Sequence, residues 1–204
     1  MKISSSDLAV SRETLELLQL YQELLEKWNK KINLVAPATI SDSWNRHFRD
    51  SLQVFGMIHS PPQQWCDLGS GAGFPGLVAA IAAKGEGWTT KFILIESDQR
   101  KCTFLRTVSR ETGVPVEIIS DRIELSPPQY ADVVSARALA PLPRLLPWVK
   151  RHLSGNGTAI LPKGRTYLQE LDEVRGNYAF SLEIHPSAVD SESVLLKLES
   201  IRDV

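Results

Sequence analysis

The chain has 204 residues, of which 43% are hydrophobic and 23% charged, with a formal net charge of -1. That is the composition of one folded domain with a modest extension, and it excludes disordered, collagen-like and mucin-like classes. The longest small or apolar run, Gly76 to Ala83, is too short to cross a bilayer, and Met1-Lys2 leads into Ser4-Ser5-Ser6 instead of a hydrophobic signal region. The reading is therefore of a cytoplasmic protein with no membrane partner. Cys66 and Cys102 stand far apart in apolar surroundings, without CxxC spacing or a histidine cluster, so neither a disulfide scaffold nor a metal site is expected.

The first segment reads as a helix, because Leu17, Leu20, Tyr21, Leu24, Leu25 and Trp28 recur at spacings of three and four, with Ser11 as its cap. Thr39 and Asp42 then predict a capping box for a second helix whose buried stripe is Trp44, Phe48, Leu52 and Phe55. Arg46, His47 and Asp50 fall off that stripe. Pro61-Pro62 separates this helical extension, residues 1–60, from the remainder, residues 61–204. There, strands are expected at Trp65–Leu68, Phe92–Glu96, Val116–Ser120, Asp132–Ser135 and Thr158–Pro162. Helices are expected at Gly76–Lys84, Arg100–Thr112 and Leu142–Leu153. Strands alternating with helices give an α/β fold with a mostly parallel sheet covered on both faces. Phe180–Ile184 and Ser193–Leu198 are expected to close it as an antiparallel pair.

Charge is uneven along the chain. Val133 to Gln169 carries six bases, Arg137, Arg144, Lys150, Arg151, Lys163 and Arg165, and no acid. A second basic cluster, Lys27, Lys30, Lys31, Arg46 and Arg49, is opposed only by Asp42. Such patches attract polyanions, although most charge runs are solvated faces.

Asp67-Leu68-Gly69-Ser70-Gly71-Ala72-Gly73-Phe74-Pro75-Gly76 lies between the first strand and its helix, where open α/β sheets bind nucleotides. Alternating glycines remove the Cβ atoms that would hold a ligand off the backbone. Gly71 to Gly76 satisfies the dinucleotide pattern GxGxxG, which alone is weak. Asp67-x-Gly69-x-Gly71-x-Gly73 resembles instead the first motif of class I S-adenosylmethionine-dependent methyltransferases, with the acid near the amino acid end of the cofactor. Nicotinamide is the weaker alternative. Glu96 ends the second strand, placed to take both ribose hydroxyls, and Asp121-Arg122-Ile123-Glu124 follows the third, where a backbone N–H and an apolar side chain would hold adenine.

Together with Trp28-Asn29-Lys30-Lys31-Ile32-Asn33-Leu34, Arg46-His47-Phe48-Arg49-Asp50-Ser51, Ser135-Ala136-Arg137-Ala138 and Lys163-Gly164, these residues make the chain resemble the ribosomal RNA small subunit methyltransferase G family. This family is also called the glucose-inhibited division protein B family. The resemblance spans Trp28 to Leu198. It implies a Rossmann-like class I fold and methyl transfer from S-adenosylmethionine to N7 of a guanine in 16S ribosomal RNA, free or in a small-subunit precursor. It further implies that Gly69, Phe74, Ile123, Glu124 and Arg137 line the cofactor site, and that Asn33, Arg46, His47 and Lys163 face the RNA. Residues 1–10 carry no family signal.

Plainer roles compete for each of these residues. His47 would be a surface or half-buried histidine, Asn33 a cap between helices, and Asp50 a partner for Arg46 one turn away. Three other functions remain open at this level: a methyltransferase with a protein or small-molecule acceptor, a noncatalytic RNA-binding assembly factor, and a nicotinamide oxidoreductase.

Overall fold

The computed structural model describes residues 10–204. Helix α1 (Arg12–Asn29) starts where expected. The side-chain oxygen of Ser11 accepts from the Thr14 N–H at 3.1 Å, and Thr14, Leu15, Leu18, Tyr21 and Leu25 form its buried stripe. The second helix departs from expectation. Pro37–Asp42 is a short 3-10 helix, Trp44–Arg49 a π-helical turn, and only Asp50–Gly56 is α-helical (α2). No capping box forms: the Thr39 hydroxyl donates to the Ala36 carbonyl at 2.8 Å, while Asp42 accepts from the Asn45 amide at 2.7 Å. The wider π turn shifts the helical register, so that His47 and Asp50, expected off the stripe, are buried along with Phe48.

The remaining elements are β1 (Gln64–Leu68), α3 (Gly76–Gly85), β2 (Lys91–Ile95), α4 (Gln99–Thr112), β3 (Glu117–Ile119), β4 (Ala131–Ser135), α5 (Leu142–His152), β5 (Leu153–Lys163), α6 (Tyr167–Val174), β6 (Tyr178–Pro186) and β7 (Val194–Asp203). They build a seven-stranded sheet in the order β3-β2-β1-β4-β5-β7-β6. Strands β1 to β5 are parallel, and β7 and β6 close the edge antiparallel, the pairing expected from their sequence. Helix α6 adds to the expected elements, although Tyr167, Leu171 and Val174 stand at helical spacing.

Alternation within the strands divides the core. Trp65, Phe92 and Leu94 face α1, α3 and α4, whereas Cys66, Ile93 and Ile95 face α5. Each large apolar side chain so buried contributes roughly 1.5–3 kcal/mol. The first layer also contains Leu18, Tyr21, Leu25 and Phe48, so residues 12–56 share one core with the sheet. Tyr21 lies parallel to Phe74 at 5.4 Å and edge-on to Phe48 at 5.2 Å, and its hydroxyl donates to the Ala72 carbonyl. Tyr21→Phe should therefore cost about 1–2 kcal/mol in urea unfolding by leaving that carbonyl unpaired. It should also weaken cofactor binding modestly, because Ala72 belongs to the glycine turn. An unchanged midpoint would show that the turn does not depend on this anchor.

Candidate active site

Strand order reverses at β1, with β2 on one side and β4 on the other, and the carboxyl ends of parallel strands there open on a cavity of about 500 Å³. Its floor is the glycine turn, and its sides are Glu96 after β2, Ile123 and Glu124 after β3, and Arg137 after β4. Leu34, Val35, Thr39 and His47 of the helical extension complete the rim.

The glycines divide the work. At Gly71, φ is +57° and an added Cβ would meet nothing nearer than 3.8 Å, so this position faces open space. Gly69, at φ +63°, sits under Leu139, whose nearest methyl would be 2.5 Å from a Cβ. Gly73 does not line the cavity: at φ +95° its Cβ would collide with the Tyr21 hydroxyl and stand 2.9 Å from Leu77 Cβ. The third glycine therefore admits the N-terminal helix, not the ligand.

Asp67 also departs from expectation. Its side chain alternates away from the cavity and lies beneath the turn, where Oδ1 accepts from the Ser135 hydroxyl at 2.6 Å. Ser135 in turn accepts from the Trp65 indole at 2.9 Å. A Cβ at Gly76 would come within 2.6 Å of Asp67, which explains the glycine at the start of α3. Burial pushes the Asp67 carboxyl up to about 6. Asp67 thus supports the turn from below and does not line the cavity.

Glu96 does reach the cavity, 8% exposed. One carboxylate oxygen accepts from the Gly71 N–H and the other from the Asp98 N–H, both at 2.8 Å. Each oxygen keeps a second lone-pair direction for a hydroxyl donor. Ile123 is buried in the same wall, its carbonyl bonded to His152 Nε2 at 3.0 Å. Glu124 stands exposed at the mouth. These groups fit S-adenosylmethionine: a diol acceptor, an apolar wall for a base, and a glycine position with room for a ligand against the backbone.

Arg137 links the extension to the sheet. Its Nη1 donates to the Arg46 carbonyl at 2.9 Å and to Asp50 Oδ2 at 3.2 Å, and its Nη2 donates to His47 Nδ1 at 3.1 Å. The guanidinium also lies 5.1 Å from the centre of the Phe74 ring. Asp50 accordingly pairs with Arg137, not with Arg46 as its helical spacing suggested. His47 stacks on Phe74 at 5.0 Å, with Nε2 2.9 Å from the Thr39 hydroxyl. Because that hydroxyl donates to Ala36, it accepts from His47, and the lone pair of Nδ1 receives Arg137. Burial first, then the charges of Arg137 and Arg46, lower the imidazole to about 4, so it is neutral at physiological pH.

A family model described as rRNA small subunit methyltransferase G matches residues 14–194. The chain belongs to this family. The ribosomal RNA small subunit methyltransferase G of Cereibacter sphaeroides is 46% identical over 199 residues, 98% of this chain and 97% of that one. The protein of the same name from Rhodospirillum centenum is 48% identical over 192 residues, 94% and 87% of the two chains. Among solved structures, a methyltransferase from Geobacter sulfurreducens superposes with a TM-score of 0.57 at 15% identity, covering 90% of this chain and 88% of that one. A SAM-dependent methyltransferase from Aquifex aeolicus gives 0.59 at 13%, covering 80% and 98%. The fold is that of the class I S-adenosylmethionine-dependent methyltransferases, and the cofactor is S-adenosylmethionine.

In this family member the expected RNA-side residues are dispersed. Arg46 and His47 line a second cavity of about 350 Å³, which shares Thr39, His47, Arg137 and Ala138 with the first. Lys163 reaches the same cavity, but its ammonium is buried and donates to Glu170 and to the Ala140 carbonyl, both at 2.8 Å. It holds α6 to the sheet, so it is not a free phosphate contact. Asn33 is exposed in a separate hollow with Lys31, Arg100 and Lys101, and the cap between helices is Asn29, which accepts from the N–H groups of Leu34 and Val35. Half of the acid-free run is neutralised, Arg137 by Asp50, Lys150 by Asp203 and Lys163 by Glu170, while Arg151 donates to the Ser126 carbonyl. Counting charge within the run missed these partners because they lie outside it, at residues 50, 170 and 203.

Proposed function

We propose that this chain transfers a methyl group from S-adenosylmethionine to N7 of a guanine in 16S ribosomal RNA, free or within a small-subunit precursor. The observation that carries the reading is the pair of cavities meeting at a wall of Thr39, His47, Arg137 and Ala138, one suited to the cofactor and the other to a flipped-out base. Family membership supports the RNA as acceptor. Residues 61–204 are read as the methyltransferase domain and 1–60 as its helical extension, residues 1–9 of which lie outside those described.

When bound, the cofactor supplies an electrophilic methyl on a sulfonium. The N7 lone pair forms the new N–C bond while the S–C pair returns to sulfur, leaving a cationic 7-methylguanine. No proton moves in this step, so it needs positioning and no general base. Glu96 is assigned to the ribose, Ile123 and Glu124 to the adenine side, Gly69, Gly71 and Phe74 to the close approach at the turn. Arg137 holds His47 and the two-cavity wall in place. N7 is hidden in the deep major groove of A-form RNA, which favours a loop or an incompletely folded intermediate as target. Lys31, Lys101 and Arg122 are candidates for phosphate contacts, whose contribution falls with salt.

Incubating the purified chain with methyl-labelled cofactor and unmodified 16S rRNA should place label in RNA, with one borohydride- and aniline-sensitive site. Label in protein or small molecules alone would overturn the reading. Since His47 stays neutral down to about 4, the single-turnover rate should be flat from about pH 7 to 8.5 and His47→Gln should keep substantial chemistry. Asp67, ionised above about 6, is the group whose protonation would lower the rate at more acid pH, and that limb should persist in His47→Gln. A tenfold rise per pH unit through the usual histidine range near 6.5, abolished in His47→Gln, would instead make His47 a general base.

A further inference from the structure

The second cavity contains a carboxylate that neither the cofactor site nor the RNA contacts above employ. Asp190 lies in the loop between β6 and β7 and lines the second cavity but not the first, together with Ser187, Val189 and Ser193 of the same loop. This loop is held stiffly. Gln53 of α2 donates to the Pro186 carbonyl at 2.7 Å and accepts from the Ala188 N–H at 2.8 Å, and the Ser187 N–H donates to the Ser193 carbonyl at 3.0 Å. Asp190 itself accepts from the Glu192 N–H at 3.1 Å and the Ser193 hydroxyl at 2.8 Å. These bonds hold its carboxyl below the usual range, so it is an acceptor-only anion. Lys163 in the same cavity is spent on Glu170, and Asp50 on Arg137. Arg46 lines the cavity beside them, and among the described residues its guanidinium has no protein partner.

We propose that Asp190 reads the Watson–Crick edge of the acceptor guanine, taking its N1–H and N2 amino protons, while Arg46 faces O6. The inference rests on the base occupying the second cavity, as proposed above. A guanine with N7 turned toward the shared wall presents its opposite edge to the part of the cavity that the cofactor site does not share, which Asp190 lines. Its O6, adjacent to N7, then needs a donor, which Arg46 supplies. Adenine fails at both places: it offers an unprotonated N1 to the carboxylate and an amino group to the guanidinium, so both charged groups are left facing the wrong partner.

The same contact acts on the rate. As the N7–C bond forms, positive charge spreads into the purine ring and the N1–H becomes more acidic. Its hydrogen bond to the carboxylate therefore strengthens between ground state and transition state, the condition for raising turnover and not affinity alone. The preset loop lets this happen without reorganisation.

The test uses the full chain and 16S rRNA carrying guanosine or inosine at the methylated nucleotide; inosine lacks only the N2 amino group. The wild-type single-turnover rate should fall about tenfold with inosine. Asp190→Asn should lower the guanosine rate by about tenfold or more at saturating RNA, leave S-adenosylmethionine affinity unchanged, and discriminate guanosine from inosine by less than about twofold. A variant that keeps the wild-type discrimination, or a loss confined to RNA affinity, overturns the assignment. So does a wild-type chain that methylates both RNAs equally, a measurement that needs no variant. Failure of the wild-type chain to methylate RNA at all would overturn the proposed function along with it, and the two failures are thus distinguishable.

Discussion

Arg137→Ala should abolish methyl transfer and destabilise the fold by about 3–5 kcal/mol, the cost of stranding a buried charge. The side chain is 17% exposed and Asp50 12%, so solvent offers the abandoned carboxylate little relief. Its removal also leaves the Arg46 carbonyl and His47 Nδ1 without their donor and takes the cation from the Phe74 face. Arg137→Lys should fail nearly as badly, because a single ammonium cannot bridge three acceptors in a planar fork. Burial already raises the Asp50 carboxyl above its usual value despite Arg137. Without the arginine it rises further, the folded state binds the proton more tightly than the unfolded one, and the stability deficit should shrink as pH falls. Arg137→Ala combined with Asp50→Asn should regain part of the stability without regaining methyl transfer. Urea unfolding from pH 5 to 8 and single-turnover assays measure both effects, and full activity in either Arg137 variant would remove the residue from the site.

Gly71→Val should reduce S-adenosylmethionine affinity by at least about 100-fold, a loss of roughly 3 kcal/mol. The new side chain would project into the open space where the ligand approaches the backbone, and a β-branched residue at φ +57° is strained besides. Gly73→Ala is the instructive contrast, since its methyl would meet Tyr21 and Leu77 inside the core. That variant should unfold at lower urea while its folded fraction still binds cofactor. Calorimetry on both proteins separates the two outcomes, and equal cofactor binding by Gly71→Val and the wild-type chain would sink the site assignment.

The parallel sheet, most of its helices and the place of the glycine turn at the open ends of the strands were legible in the sequence, because strand and helix periodicity and glycine placement are local properties. The helix over Arg12–Asn29 with its Ser11 cap, and the antiparallel pair at the C-terminal edge, were legible for the same reason. The motif string also located Glu96, Ile123 and Arg137 at strand ends. What each glycine or acid touches was not legible. Gly71, Gly73 and Asp67 look equivalent in the motif, yet one faces the open cavity, one admits Tyr21, and one lies under the turn bonded to Ser135.

The π turn at Trp44–Arg49 shows why. Local pattern predicts an α-helix there, and only packing of Phe48 on Tyr21 and Phe74, with Arg137 holding the Arg46 carbonyl, accounts for the wider turn that buries His47 and Asp50. Likewise, the basic run from Arg137 to Arg165 appeared free because its acids come from residue 50 and from residues 170 to 203. Periodicity and turn chemistry act over a few residues and can be read in order along the chain. Charge pairing, tautomer choice and the meeting of two cavities depend on groups tens of residues apart, and only the folded structure brings them together.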